Sequence, residues 1–271
     1  MTEYQFETIS QKRSTRGVGF GLAGFAEVTG RSNGRLEPCQ PRLKIIIAQH
    51  DIALSGSTVA PTKHKAFVIG PSCGPLRSAH DGVLTCVEID LPPWAGLAVF
   101  GHPLHDEPLA LSHLIGSSAD ELVEHLSEAT DWQQRFAFLE SFVDRRLDAG
   151  AQRISPEIRW AWDRLERCSG RISIRALADE IGWSGRHFGR RFAEETGIMP
   201  KAAMRTMRFD RACRFIEGTY DSLAEIAFSC GYADQSHMTR EFLKFAGRSP
   251  DAHRKARLLD PTGTSLETAE A

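Results

Sequence analysis

Long apolar runs are missing from this chain of 271 residues. The longest unbroken aliphatic stretch is Ile45 to Ala48, against the roughly 18 apolar residues that a membrane-spanning helix needs, so no membrane partner is expected. The opening MTEYQFETIS has neither the basic nor the apolar segment of an export signal. Cys39, Cys73, Cys86, Cys168, Cys213 and Cys230 form no C-x-x-C pair and sit among apolar neighbours, which argues for reduced thiols in a cytoplasmic protein. A Gly-rich phosphate loop, a G-x-S-x-G turn and a Cys/His constellation are all absent. The chain therefore shows no catalytic residues, and an enzyme, a cofactor and a bound metal are not expected. Charge of one sign is not in excess either. The 33 Lys+Arg and 35 Asp+Glu leave a formal charge of −2, which excludes a uniformly basic coat for nucleic acid.

What the sequence does contain is an uneven distribution. At a prior of roughly 150 residues per domain, the length fits about two domains. Residues 1–153 carry 14 basic and 18 acidic side chains, residues 154–257 carry 19 and 14, and residues 258–271 carry none and 3. The basic surplus is confined to one block. The first half has short β-branched stretches at 42–49, 66–70, 83–90 and 97–101, separated by Gly/Pro/Ser clusters, and this spacing predicts strands of a barrel or sandwich. Helical spacing follows at Leu111, Leu114 and Ile115, at Leu122, Val123 and Leu126, and from Phe136 to Leu147. Ser155 and Pro156 read as the N-cap and first residue of a further helix towards Cys168. The expected class is α+β: a β-rich part with following helices at 1–150, an all-α unit at 155–257 and a disordered tail at 258–271.

The all-α unit contains an internal repeat. Ile174, Leu177, Ala178 and Ile181 followed by Gly182-Trp183 share their spacing with Leu223, Ile226, Ala227 and Cys230 followed by Gly231-Tyr232. One residue later in register, His187, Arg190, Phe192, Gly197 and Pro200 match His237, Arg240, Phe242, Gly247 and Pro250. Each copy reads as a short amphipathic helix, a turn opened by Gly, a capping residue (Ser184 or Asp234) and a second helix with a polar outer face. That is the pattern of helix-turn-helix, in which the second helix enters the major groove of double-stranded DNA. Arg can bond guanine O6 and N7 together, Gln can pair with adenine, and Ser or Thr serves bases and phosphates. Between the copies, Lys201 to Glu217 predicts one helix, long enough with the flanking motifs to set two recognition helices about one DNA turn apart, roughly 34 Å.

The stretches LADEIGWSGRHFGRRFAEETGIMPKAAMRTMRFDRACRFI and SLAEIAFSCGYADQSHMTREFLKFAGRSP resemble the DNA-binding domain of the AraC/XylS family of bacterial transcriptional regulators, over Ile172 to Lys255. The second copy is the more specific match, through Ala224 to Ala227, Gly231-Tyr232, Gln235-Ser236-His237, Arg240, Phe242 and Gly247 to Pro250. By position the resemblance implies base contacts from Arg186, His187, Gly189 and Arg190 in the first copy and from Gln235, Ser236, Thr239 and Arg240 in the second. It also implies an N-terminal sensing or dimerising domain, commonly a cupin-like barrel followed by helices, with RNA polymerase, a small-molecule effector and a second copy of the chain as further partners. The chain departs from the pattern at Gly185 and Gly189, each costing roughly 1 kcal/mol of helix propensity against Ala, and Gly189 offers no side chain to a base.

Blander readings stand beside these. Arg208, Arg211 and Arg214 fit a solvated face or ion pairs within the domain, Arg190 and Arg191 are interchangeable phosphate candidates, and Trp183 and Tyr232 fit plugs of the turns. His187 and His237 suit packing or capping nearly as well as DNA contact. His102-x-x-His105 with Asp106 and Glu107 has metal-like spacing, but Pro103 and Pro108 oppose a regular helix and the cupin pattern H-x-H followed by Glu is absent. Phe67, Trp94 and Phe100 are candidates to line an effector pocket. The competing class is a cupin-type metalloenzyme fused to a helical interaction domain, which a metal assay on purified protein separates from a regulator.

Overall fold

The computed structural model describes residues 5–259 apart from 16–17, 30–32, 57–59, 72–73 and 106. Cys73, Asp106 and the tail from residue 260 lie outside the described residues. The strands are β1 (Gln5–Thr15), β2 (Val18–Val28), β3 (Asn33–Glu37), β4 (Leu43–Gly56), β5 (Thr62–Ile69), β6 (Leu76–His80), β7 (Val83–Leu91) and β8 (Leu109–Ala110). They form one antiparallel sheet in the order β1-β2-β7-β4-β5-β8, with β6 pairing the far end of β4 and β3 pairing β6. Helices α1 (Ala95–Phe100), α2 (Leu111–Ile115), α3 (Ser118–Glu128) and α4 (Trp132–Gly150) accompany the sheet. The rest is helical: α5 (Pro156–Arg167), α6 (Ile174–Glu180), α7 (Gly185–Thr196), α8 (Pro200–Gly218), α9 (Leu223–Ser229), α10 (Gln235–Ala246) and α11 (Pro250–Leu259). The α+β order expected from the sequence is the order found.

Strand period decides what each face of the sheet does. In β4, Leu43, Ile45 and Ile47 join Phe20, Leu22, Ile89 and Leu91 in a core that continues into α1, α3 and α4. The alternate residues Ile46 and Ala48, with Ile52, Leu54, Phe67, Leu84 and Cys86, form a second apolar cluster on the other face. Because both faces of β4 are covered, its sequence KIIIA reads as an unbroken run instead of an alternation.

One expected strand is a helix. Residues 97–101 belong to α1 and its Gly101 cap, not to the sheet. Ala95, Gly96, Ala98 and Val99 are all buried, and Gly150 comes so close that a methyl group there would overlap the Ala98 carbonyl. A run of four apolar residues has no period of its own, and the Pro92-Pro93 pair that suggested a strand boundary instead opens a helical turn. Trp94 is corrected with it: the side chain is fully buried beneath the Arg159 guanidinium, and it faces the core instead of a pocket. Phe100 likewise packs against that core. Of the three aromatics expected to line a pocket, Phe67 does so.

The core of the sheet and its helices does not stop at α4. Ile158, Ala161, Trp162 and Leu165 of α5, Leu177 and Ala178 of α6, Phe188 and Phe192 of α7, and Ala203 and Met207 of α8 belong to the same cluster. Met238, Phe242 and Phe245 of α10 instead close a separate core with Phe209 and Ile216 of α8, Ile226 of α9 and Cys39 from the β3–β4 connection. Cys39, Cys86, Cys168, Cys213 and Cys230 are free thiols.

Candidate nucleic-acid interface

Local chemistry sets both helix-turn-helix copies. In the first, the Ser173 side chain caps α6 by accepting from Ala176 N–H, and Ser184 caps α7 by accepting from His187 N–H at 3.2 Å. In the second, Ser222 and Glu225 form a reciprocal capping box on α9, and Asp234 caps α10 by accepting from His237 N–H at 2.6 Å. Hydrogen bonds from Ser222 hold the Glu225 carboxyl below its ordinary range. The turn glycines Gly182 and Gly231 have φ of 72° and 79°, in the left-handed region where a side chain is costly. Tyr232 is buried as a plug of its turn and stands edge-on to His237, while the half-buried Trp183 does the same to His187 at 4.6 Å.

Each second helix has one buried face. In α7, Phe188 and Phe192 are fully buried, and Phe192 stacks on Trp162; in α10, Met238 and Phe242 are fully buried, and Phe242 meets Phe209 edge-on at 4.8 Å. The opposite faces carry the residues singled out from the sequence. Arg186, His187, Arg190, Gln235, Ser236 and Arg240 are exposed, and Gly189 and Thr239 are half-buried beside them. Arg186 and Arg240 have no hydrogen-bond or ion-pair partner among the described residues. Arg190 donates to both oxygens of Glu194, at 3.0 and 3.3 Å, and Thr239 Oγ1 donates to the Gln235 carbonyl. A methyl group at Gly189 would meet nothing within 4 Å, so this position is an open notch in the face.

Other cations are committed elsewhere. Arg191 donates to Glu195 at 2.7 Å and to Ser155 Oγ at 2.9 Å, which distinguishes it from the exposed Arg190. Arg208 reaches Glu241 and lies over the Tyr232 ring, Arg211 bonds Ser169 and covers Phe215, and Arg214 pairs with Asp210 at 3.0 Å. The linking helix α8 has 19 residues, roughly 28 Å at 1.5 Å each, with Phe209, Ala212, Cys213 and Ile216 buried as the spacing implied.

Two buried carboxylates were not anticipated. Glu195 at the end of α7 accepts from Ser155 N–H at 2.8 Å and Ser155 Oγ at 2.5 Å, as well as from Arg191. Ser155 therefore fills the N-cap position of α5 while its hydroxyl braces α7. Glu241 of α10 accepts from Arg205 Nε at 2.6 Å and lies 3.4 Å from Arg208. Glu241 faces arginines of the neighbouring α8, whereas Glu195 shares α7 with Arg191 and meets Ser155 from 40 residues away, and no local pattern in the sequence marks either carboxylate.

A second site lies inside the sheet. A cavity of about 300 Å³ is lined by residues from β2 to β7 and the β3–β4 connection. Phe25, Ile46, Ile52, Leu54, Phe67 and Leu84 form its apolar part. Burial pushes the Cys86 thiol in its wall up to about 12. The polar part holds Arg35, Glu37, Lys44, Ser78, His80 and Glu88. Lys44 Nζ pairs with Glu88 at 2.6 Å. Burial alone would depress the Lys44 ammonium, yet the facing Glu88 carboxylate outweighs it and holds the group above its ordinary value. Burial raises the Glu37 carboxyl, against the pull of Lys44 and Arg35. Arg35 is paired with Glu27, beneath His80 Nε2 at 3.4 Å from the same carboxylate.

The wall of this cavity touches the second helix-turn-helix copy. Glu37, Pro38, Cys39 and Gln40 line the cavity, while Cys39 N–H donates to the Phe245 carbonyl at 2.7 Å and Arg248 donates to the Leu36 carbonyl at 3.1 Å. Arg42, also in the wall, pairs with Asp90 and donates to Glu166 of α5 at 2.8 Å. On the first copy, His105 Nδ1 donates to the Gly197 carbonyl at 3.1 Å, so one member of the metal-like cluster ties the α1–β8 connection to the end of α7.

Residues 177–256 match a family model described as a helix-turn-helix domain. The HTH-type transcriptional regulator Rv1931c of Mycobacterium tuberculosis is 38% identical over 90 residues, 33% of this chain and 35% of that one. The HTH-type transcriptional activator RhaS of Escherichia fergusonii is 32% identical over 114 residues, 42% of this chain and 39% of that one. The chain thus covers well under half the length of these relatives. Among solved structures, the DNA-binding domain of the global transcriptional factor AdpA, in complex with a target DNA, is 29% identical at a TM-score of 0.38, covering 40% of this chain and 100% of that one. The sequence match and the two capped, glycine-turned helix pairs together make the C-terminal part of this chain a helix-turn-helix domain, similar in sequence to those of HTH-type transcriptional regulators.

Proposed function

We propose that the chain is a cytoplasmic, sequence-specific DNA-binding regulator of transcription in which α7 and α10 read adjacent major grooves. The observation that carries this reading is the pair Arg186 and Arg240. Each projects from the outer face of a recognition helix without a partner among the described residues, above a face locked by buried aromatics. An arginine left uncompensated on a rigid helix is arranged to bond a guanine edge or a phosphate. His187, Gly189, Arg190, Gln235, Ser236 and Thr239 complete the two DNA-facing surfaces, with 155–257 as the DNA-binding unit and 1–150 as the sensing unit. Arg240→Ala should cost about 1–3 kcal/mol at the cognate site and relax preference at one base position. Equal loss on cognate and random duplexes, measured by titration at fixed salt, would remove the base-reading role.

The sensing unit takes a small-molecule effector in the cavity within the sheet, and occupancy acts on the second copy through residues 36–40. Support comes from the shared wall: the segment that borders the cavity also holds Phe245 and Arg248. Filling the cavity by Cys86→Phe should change amide hydrogen exchange at 245–248. Unchanged exchange there, in a protein that stays folded, would sever the sensing unit from the second copy. RNA polymerase is the further partner this regulatory reading requires.

A further inference from the structure

We propose that β1 is an interface for a second copy of this chain, the two β1 strands pairing antiparallel about a two-fold axis at Ser10. β1 runs for eleven residues and pairs with β2 along its whole length, from Gln5↔Val28 to Thr15↔Val18, without a register shift. Among the described residues it pairs with no other strand, so its outward N–H and C=O groups form an open edge. Several usual protections of such an edge are missing among the described residues. β1 contains no proline and no bulge, and α4 anchors its face instead of covering its rim, through Trp132 Nε1 donating to Glu7 at 2.9 Å and Arg13 pairing with Glu140 at 3.2 Å. The opposite edge of the main sheet path, β8, has two residues.

The strand is complementary to itself. In an antiparallel pair, residues directly opposite share a face, so a two-fold register must match odd positions with odd and even with even. The register centred on Ser10 pairs the whole strand. It sets Glu7 opposite Arg13 at both ends, Thr8 opposite Lys12, Ile9 opposite Gln11 and Ser10 opposite itself. Shifting the register by two residues either way leaves Glu7 facing Gln11 or Thr15 and loses both charge pairs. Cross-strand partners bring their Cβ atoms to about 4.5–5.5 Å, close enough for a carboxylate and a guanidinium to meet. Trp132 uses one Glu7 oxygen and Glu140 takes Arg13 through Nε, so the other oxygen and the two guanidinium amino groups are left for the partner. Charges that would otherwise guard an edge here select its mate. This interface does not depend on how α7 and α10 read DNA.

The test uses the full chain. Ser10→Cys, at an exposed position on the axis, should give a covalent dimer under a mild oxidant on a non-reducing gel, while the wild-type chain treated alike forms no covalent bridge and its dimer separates in the detergent. Thr8→Cys alone should not bridge, but Thr8→Cys combined with Lys12→Cys should. In sedimentation velocity, Glu7→Arg should weaken the dimer about tenfold or more, and Glu7→Arg with Arg13→Glu should recover most of the loss. A wild-type chain that stays monomeric at high concentration would overturn the proposal. So would a dimer that neither bridges through Ser10→Cys nor responds to the charge reversals.

Discussion

In the first helix-turn-helix copy, Phe188 and Phe192 share one apolar core with the sheet and α1; in the second, Met238, Phe242 and Phe245 have a core of their own, entered from the N-terminal half by Cys39. The braces differ in the same sense. Glu195 ties the end of α7 back to Ser155 at the start of α5, whereas Glu241 ties α10 to Arg205 and Arg208 of α8, inside the helical unit. Two copies of one motif, each capped at both helices, are therefore held in place by different means. The first is built into the sheet-bearing body, and the second rests against it through a few contacts at Leu36, Cys39, Pro75 and Arg248. Fold repetition does not imply equal mechanical independence.

Substitution of one buried ring in each core separates the two supports. Phe192→Ala and Phe242→Ala each remove a fully buried ring and should cost about 3–5 kcal/mol, but with different reach. The first should lower hydrogen-exchange protection in the sheet as well as in α6 to α8. The second should release α9 to α11 and leave the sheet protected. If both variants deprotect the sheet equally, the two cores act as one.

A smaller contrast separates the glycines that end α7 and α10. Gly197 and Gly247 have φ of 76° and 67°, so alanine at either costs about 1–2 kcal/mol from backbone strain alone. At Gly197 the added methyl would also lie 1.9 Å from the Leu104 carbonyl oxygen, an impossible approach, whereas at Gly247 its nearest neighbour is Leu36 Cδ2 at 3.4 Å. Gly197→Ala should therefore lower the melting temperature clearly more than Gly247→Ala. Equal shifts would mean that the first copy can move away from Leu104 at little cost.

The smallest effect has the opposite sign. Gly189→Ala meets open space in mid-helix and should stabilise the first copy by roughly 1 kcal/mol, read from denaturant unfolding. A destabilised variant would show that α7 relies on the notch for its own packing.

The helical third was readable from sequence because its determinants are local: period-3.6 apolar positions, capping Ser184 and Asp234, and glycines at the turns. The repeat made the outer residues of α7 and α10 visible as a set. β1 was not readable as a strand, since QFETISQKRST has almost no apolar alternation and takes its structure from β2. β2 is diluted by Gly19, Gly21 and Gly24. The Leu97–Gly101 run lacked a period, so propensity pointed to a strand where packing on α4 required a helix. Neither the cavity nor the bracing carboxylates Glu195 and Glu241 could be seen, because each joins residues far apart in the chain. The sorting of arginines into paired and unpaired also needed coordinates, since Arg190 and Arg191 are neighbours with different partners.

The short connection from Leu36 to Gln40 belongs to two surfaces at once, and that restricts how the molecule can change over time. A substitution there that reshapes the hollow also alters the seat of the last helix pair. A change in the shape of the hollow is therefore accommodated most easily on the far walls, at residues such as Ile52 or Phe67, where no helix of the C-terminal third has to be refitted.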